Sequence, residues 1–256
     1  MSKNRLTWAI VALCAFVTIV AVGRTVAEPT PGEPGRAAHV VLVDVPSLDW
    51  SDITNSSMPN LYQAAQQGAT GLLTTRAARS VTCPWDGWLT VGAGNRARYP
   101  SPIPEDQLPA PAELPNPTPT ASPALAMDGC LGQIGTVPTT NGSKIAAAVT
   151  ENKGLPFGAV PGALGTAVSC TTVVGDGPAL AVGARGAKVS AAEAPKTSAG
   201  WQPLIEQCPL LLATATPAEA ASSASLASLD ATLGTIIDGA KSAGATIIVA
   251  GISQSL

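Results

Sequence analysis

The chain has 256 residues, enough for one large domain or for a domain with appendages. Charged residues make up 12% against 46% hydrophobic, and the net charge of −3 excludes the basic surface that tracks a phosphate backbone, so no nucleic-acid partner is expected. Its one histidine, His39, excludes a multi-histidine metal centre within the chain.

In chain order, the first element is the segment "MSKNRLTWAIVALCAFVTIVAVGRTVAEP". Lys3 and Arg5 precede Leu6–Gly23, a charge-free run that would rise roughly 27 Å as a helix, near the thickness of a bilayer core. The positive flank favours the cytoplasm. Residues 1–27 therefore read as a signal anchor, an N-terminal transmembrane helix with the C-terminal domain outside the cytoplasm. The alternative is a signal peptide cleaved after Ala27, giving a secreted chain. Cys14 falls in the apolar run. Export would place Cys83, Cys130, Cys170 and Cys208 in an oxidising space, where pairing Cys83 with Cys130 and Cys170 with Cys208 would close two local segments.

Residues 28–38, with "EPTPGEPGR", form a linker, because its prolines and glycines oppose regular structure. The domain proper is expected over 39–256. "HVVLVDVPSLDW" begins with an apolar strand, His39–Val43, ending at Asp44. "MPNLYQAAQQG" reads as a helix stopped by Gly68, and "TGLLTT" as a second short strand. A Pro-rich insertion follows at 99–124; Pro100 to Pro123 holds nine prolines and is expected to be an extended surface segment.

Beyond it, "GSKIAAAVTENKG" pairs a short strand or helix with a turn, and "LPFGAVPGALGTAV" reads as loops and a short helix. "CTTVVGDGPALAVG" and "CPLLLATA" contain strands. "SLASLDATLGTIIDGAKSAG" is a helix with Leu226, Leu229, Leu233, Ile236 and Ile237 on one apolar side, and "ATIIVAG" a buried-looking strand after it. Strands separated by helices imply an α/β domain with a mainly parallel sheet flanked by helices. The sequence stops just after that last strand, so the fold is expected to be incomplete at its C-terminus.

Two stretches carry a resemblance. "VVLVDVPSLDW" is similar to the first strand of the alkaline phosphatase superfamily, which includes sulfatases, phosphodiesterases and phosphoglycerate mutases. "TCPWDGWLTVGAG" resembles that superfamily's nucleophile turn, and "LDATLGTIIDGAKSAGATIIVAG" resembles a later helix and strand leading to a metal site. The resemblance covers Val40–Gly94 well and the final third loosely. Its layout is also similar to exported actinobacterial membrane-anchored proteins. It implies an alkaline-phosphatase-like fold, Asp44 as a metal ligand and Thr82 as the nucleophile. The residues themselves also allow plainer roles: Asp44 ends a strand, and Thr82 precedes a helix that starts near Pro84, where it would serve as a cap.

The departures are specific. The superfamily supplies an Asp-x-x-x-His set before its late helix, where this chain has "ATATPAEAASSAS". It places Asp-His after the late strand, where this chain has "VAGISQS". With so few fixed ligands a metal cannot repay its dehydration, so no cofactor is expected. The leading expectation is a pseudoenzyme: a membrane-anchored extracytoplasmic noncatalytic domain with a structural or interaction role, whose partners are the membrane and an envelope protein, lipid or glycan. The alternative is a phosphate or sulfate ester hydrolase using Thr82 and a divalent metal such as zinc. A further alternative is an envelope polymer-binding module using Trp85 and Trp88, which lie three apart on one side of a helix. Asp86 and Arg96 read as a local ion pair or as polar groups around a vestigial pocket.

Overall fold

The computed structural model of the chain describes residues 38–46, 48–79, 81–100, 142–175, 177–183, 186–215 and 223–253. Among these residues, five strands form one parallel sheet in the order β3-β2-β4-β1-β5. They are β1 (Val40–Asp44), β2 (Thr171–Val174), β3 (Val189–Ala192), β4 (Leu210–Thr214) and β5 (Thr246–Ala250). Strand β1 lies between β4 and β5, with Val40 opposite Leu210 on one side and Thr246 on the other. A parallel sheet must be covered on both faces, which is why β1 and β4 read as continuous apolar runs.

The side chains of β4 alternate between two cores. Leu211 and Ala213 join Val41 and Val43 on one face, while Leu212 joins Val173 on the other. The first face is covered by three helices: α1 (Pro59–Gln67), α6 (Ser198–Gln207) and α7 (Ser223–Ser242). Leu229, Leu233, Ile236, Ile237 and Ala240 of α7 are buried there, at the spacing of one helical face. The second face is covered by α2 (Pro84–Ala93) and α5 (Pro178–Val182), with α3 (Gly142–Lys153) contributing Ala148. A five-residue helix, α4 (Ala163–Ala167), packs against α2 and α5.

Two long-range ties hold these layers. Asp230 of α7 accepts the backbone N–H of Asn60 (3.1 Å) and of Leu61 (3.0 Å), capping the start of α1, where Met58 offers no side-chain cap. Cys170 and Cys208 form a disulfide joining the starts of the neighbouring strands β2 and β4, as the sequence leads one to expect. Cys83 is also disulfide-bonded, and Cys130, its expected partner, lies outside the described residues.

Three expectations need correction. No helix among the described residues is long and apolar enough to cross a membrane. The transmembrane helix is therefore no part of the described fold, and the membrane partner, membrane anchoring and single-pass localisation that rested on it fall with it. The longest described helix, α7, has 20 residues and buries one apolar face, while Asp230, Asp238 and Lys241 interrupt its circumference. The run Leu6–Gly23 itself lies outside the described residues, as do residues 28–37 of the linker and most of the Pro-rich insertion. Second, "TGLLTT" forms no strand; Leu72 and Leu73 are exposed and unpaired by any ladder. Third, β5 is an edge strand with Ile248 47% exposed, so the buried-looking run is covered on one side only.

Candidate functional site

The carboxyl ends of the strands are where ligands bind in open α/β sheets. Asp44 stands there, at the last position of β1, and is wholly buried. Both of its oxygens are engaged. Oδ1 accepts the backbone N–H of Ile252 (3.0 Å), and Oδ2 accepts the hydroxyl of Ser253 (3.1 Å). These donors belong to the turn after β5, the "GIS" of "VAGISQS". Burial pushes the Asp44 carboxyl up from 3.8 to about 7, and the bonds from Ile252 and Ser253 pull part of the way back. The aspartate thus ties two adjacent strand ends together.

Thr82 precedes the proline that opens α2, and it too is buried. Its Oγ1 accepts the N–H of Ala77 (3.2 Å) and donates to the carbonyl oxygen of Thr75 (3.4 Å). It therefore braces the preceding loop rather than capping α2, whose N-cap position is Cys83, with no side-chain cap bond. No hydrogen bond joins Thr82 to Asp44. Ile252 connects them indirectly: its N–H binds Asp44, and its side of the turn lines the same cavity as Thr82.

Gly87 lets the turn pack this closely. A Cβ there would sit 2.5 Å from the carbonyl oxygen of Ile252. Gly92, further along α2, brings the helix equally close to α5, since its Cβ would meet the Ala181 carbonyl oxygen at 1.9 Å.

The other polar groups of the turn are also engaged internally. Asp86 pairs with Arg79 (2.8 Å) and accepts the N–H of Tyr99 (2.6 Å). Its partner is thus Arg79, not Arg96. Arg96 instead lies over the ring of Phe157, 5.4 Å from the centroid. Trp85 and Trp88 are buried. Trp85 meets Tyr99 edge to face, and the indole N–H of Trp88 donates to Thr214 (3.1 Å). This corrects the polymer-binding reading, which needs these rings exposed. His39 lies at the opposite end of β1 from Asp44, where Nδ1 donates to the carbonyl oxygen of Cys208 (3.0 Å).

Among the described residues, no group of three or more His, Cys, Asp or Glu is placed to hold a metal ion. This corrects the zinc-dependent hydrolase reading. A single carboxylate with both oxygens occupied by protein donors offers a divalent cation no ligand set.

A cavity of 440 Å³ lies between α2 and the loop of residues 73–76. Its lining includes Gly87, Val91 and Gly94 of the helical region, Leu73 and Arg76 of the loop, and Arg96. Motifs point to Asp44 and Thr82 but not to this cavity, because Arg76 belongs to no motif. The one available signal was the glycine spacing along α2.

No model of a known protein family matches the chain, and no curated protein matches it.

Proposed function

We propose that this is an alkaline-phosphatase-like α/β domain that performs no metal-dependent ester hydrolysis and acts by binding. The reading carries over no membrane anchoring. The observation that supports it is the engagement of both Asp44 oxygens by Ile252 and Ser253. In the resemblance, Asp44 would be a metal arm. Here the two donors that hold it come from the "GIS" turn, the segment in which the superfamily carries its Asp-His pair. Ser253 thus stands in for the lost ligands by hydrogen-bonding the surviving one.

Thr82 supports the same reading. A hydroxyl nucleophile needs a base or a metal to remove its proton. The Thr82 hydroxyl instead faces a backbone carbonyl and a backbone N–H, and the histidine of the chain is at the far end of β1. The cavity that Thr82 and Ile252 help to line remains as a space for a ligand.

The test is hydrolysis of phosphate monoesters, phosphate diesters and sulfate esters with added zinc or magnesium, before and after Thr82→Ala. The expected result is background turnover that the substitution leaves unchanged. Metal-dependent turnover abolished by Thr82→Ala would overturn the reading.

A further inference from the structure

The geometry points to the cavity between α2 and the 73–76 loop as a binding site for an amphiphilic organic anion, its oxyanion head held by Arg76 and Arg96 and its apolar body against Leu73 and Val91. The inference rests on the binding reading above and names the ligand class.

The groove owes its shape to sequence. Gly87, Val91 and Gly94 recur at helical spacing, so they share one face of α2 and its C-cap. Gly94 has open space where a side chain would stand, which leaves room at the C-terminal end of the helix, while Gly87 lets the Ile252 backbone close the other end. The resulting 440 Å³ lies within the usual range for small-molecule sites.

The charge is one-sided. Among the described residues, no Asp or Glu lines the cavity, while Arg76 and Arg96 both do. Asp86, on the same helix, is buried and engaged by Arg79 and the Tyr99 N–H, and it is not among the lining residues. Among the described residues, neither Arg76 nor Arg96 has a carboxylate partner. The guanidinium of Arg96 lies over Phe157, and the backbone there is held by Asn95, which accepts the Arg96 backbone N–H and donates to the Phe157 carbonyl oxygen. A planar guanidinium without a carboxylate partner matches a carboxylate-like or phosphate-like head. The apolar wall accounts for the second half of the assignment. Leu73, Val91 and Ile252 line the same space and give it an apolar side.

The site can be tested by calorimetric titration of the full chain with octanoate, octanol and inorganic phosphate as probes. The expected result is saturable octanoate binding, weakened roughly tenfold or more by Arg76→Gln with Arg96→Gln, as loss of charge-assisted bonds implies. Octanol and inorganic phosphate should each bind at least roughly tenfold more weakly, since each lacks one half of the recognition. Val91→Trp, which fills the groove and leaves both arginines, should also abolish octanoate binding. Thermal melts of each variant establish that it folds.

No saturable octanoate binding, or binding that folded variants leave unchanged, would overturn the site. Equal binding of inorganic phosphate would overturn its amphiphilic character. These outcomes are independent of ester hydrolysis: turnover with octanoate binding intact sinks the noncatalytic reading alone, and absence of both sinks the site alone.

Discussion

The hydroxyl of Ser253 donates to the carboxylate of Asp44, 209 residues earlier in the chain, at 3.1 Å in a buried setting. With the Ile252 N–H on the other oxygen, this contact fixes the turn after β5 against the end of β1. The same turn packs on Gly87 of α2. A position that resembles a catalytic ligand therefore serves as the joint between a strand, a turn and a helix.

The joint is sensitive to pH. The folded-state pKa of Asp44 is raised from 3.8 to about 7, chiefly by desolvation. A raised carboxyl binds its proton more tightly in the folded state, so its favourable contribution is complete below about pH 4 and is lost as pH rises towards 7. The shift corresponds to a cost on the order of 4 kcal/mol for burying the ionised form. Asp44→Asn should remove that dependence: its carbonyl oxygen can accept from Ile252 and its amide can donate to Ser253. Melting midpoints from pH 5 to pH 8 should fall more steeply for the parent chain than for Asp44→Asn. Parallel slopes would show that Asp44 does not titrate in this window.

Asp86 is a second buried carboxylate with a different balance. Arg79 is paired to it at 2.8 Å, with side-chain exposures of 7% and 0%. Asp86→Ala would leave the guanidinium buried without its carboxylate and free the Tyr99 N–H. The expected loss is about 3–5 kcal/mol in denaturant unfolding. A loss under about 1 kcal/mol would mean that water reaches Arg79 and solvates it.

Gly92 carries the close approach of α2 to α5. A methyl group there would meet the Ala181 carbonyl oxygen at 1.9 Å, and backbone cannot yield as a flexible side chain does. Gly92→Ala should destabilise the chain by about 2–4 kcal/mol despite the better helix propensity of alanine. Gly94→Ala is the control. It has open space around it but a φ of 66°, so its cost should be confined to about 1–2 kcal/mol of backbone strain. Equal costs in urea unfolding would refute the packing account.

The Cys170–Cys208 disulfide closes a separation of 38 residues. A Cys170→Ser with Cys208→Ser variant should lose about 3–4 kcal/mol, the loop entropy returned to the unfolded chain. An unchanged urea midpoint would mean that the pairing of β2 with β4 already orders that loop without the bond.

Much of the sheet was legible because its central strands are short apolar runs between turn residues, and α7 because its leucines and isoleucines keep a helical spacing. Strand β3 was missed: "VSAA" has a single β-branched residue and lies at the sheet edge, where one face needs no apolar cover. Helix α6 was missed because Pro203 lies inside it; the burial of Trp201 and Ile205 outweighs that proline. "TGLLTT" has strand propensity, yet a strand exists only with a partner, and propensity does not name one. In the site, the position of Asp44 at a strand end was readable, but its partners were not. A hydrogen bond spanning 209 residues leaves no local pattern. The pairing of Asp86 likewise went to Arg79 over Arg96, since folding the loop before α2 back onto its first turn decides which cation arrives.

The account's central claim is that Asp44 ties the fold and holds no metal. The most direct measurement is the melting midpoint of the parent chain and of Asp44→Asn at pH 8, each with and without zinc, because an ion bound only by the folded state must raise the midpoint. The account predicts that Asp44→Asn melts at or above the parent temperature and that zinc shifts neither. A zinc-induced rise in the parent chain that Asp44→Asn abolishes would contradict it.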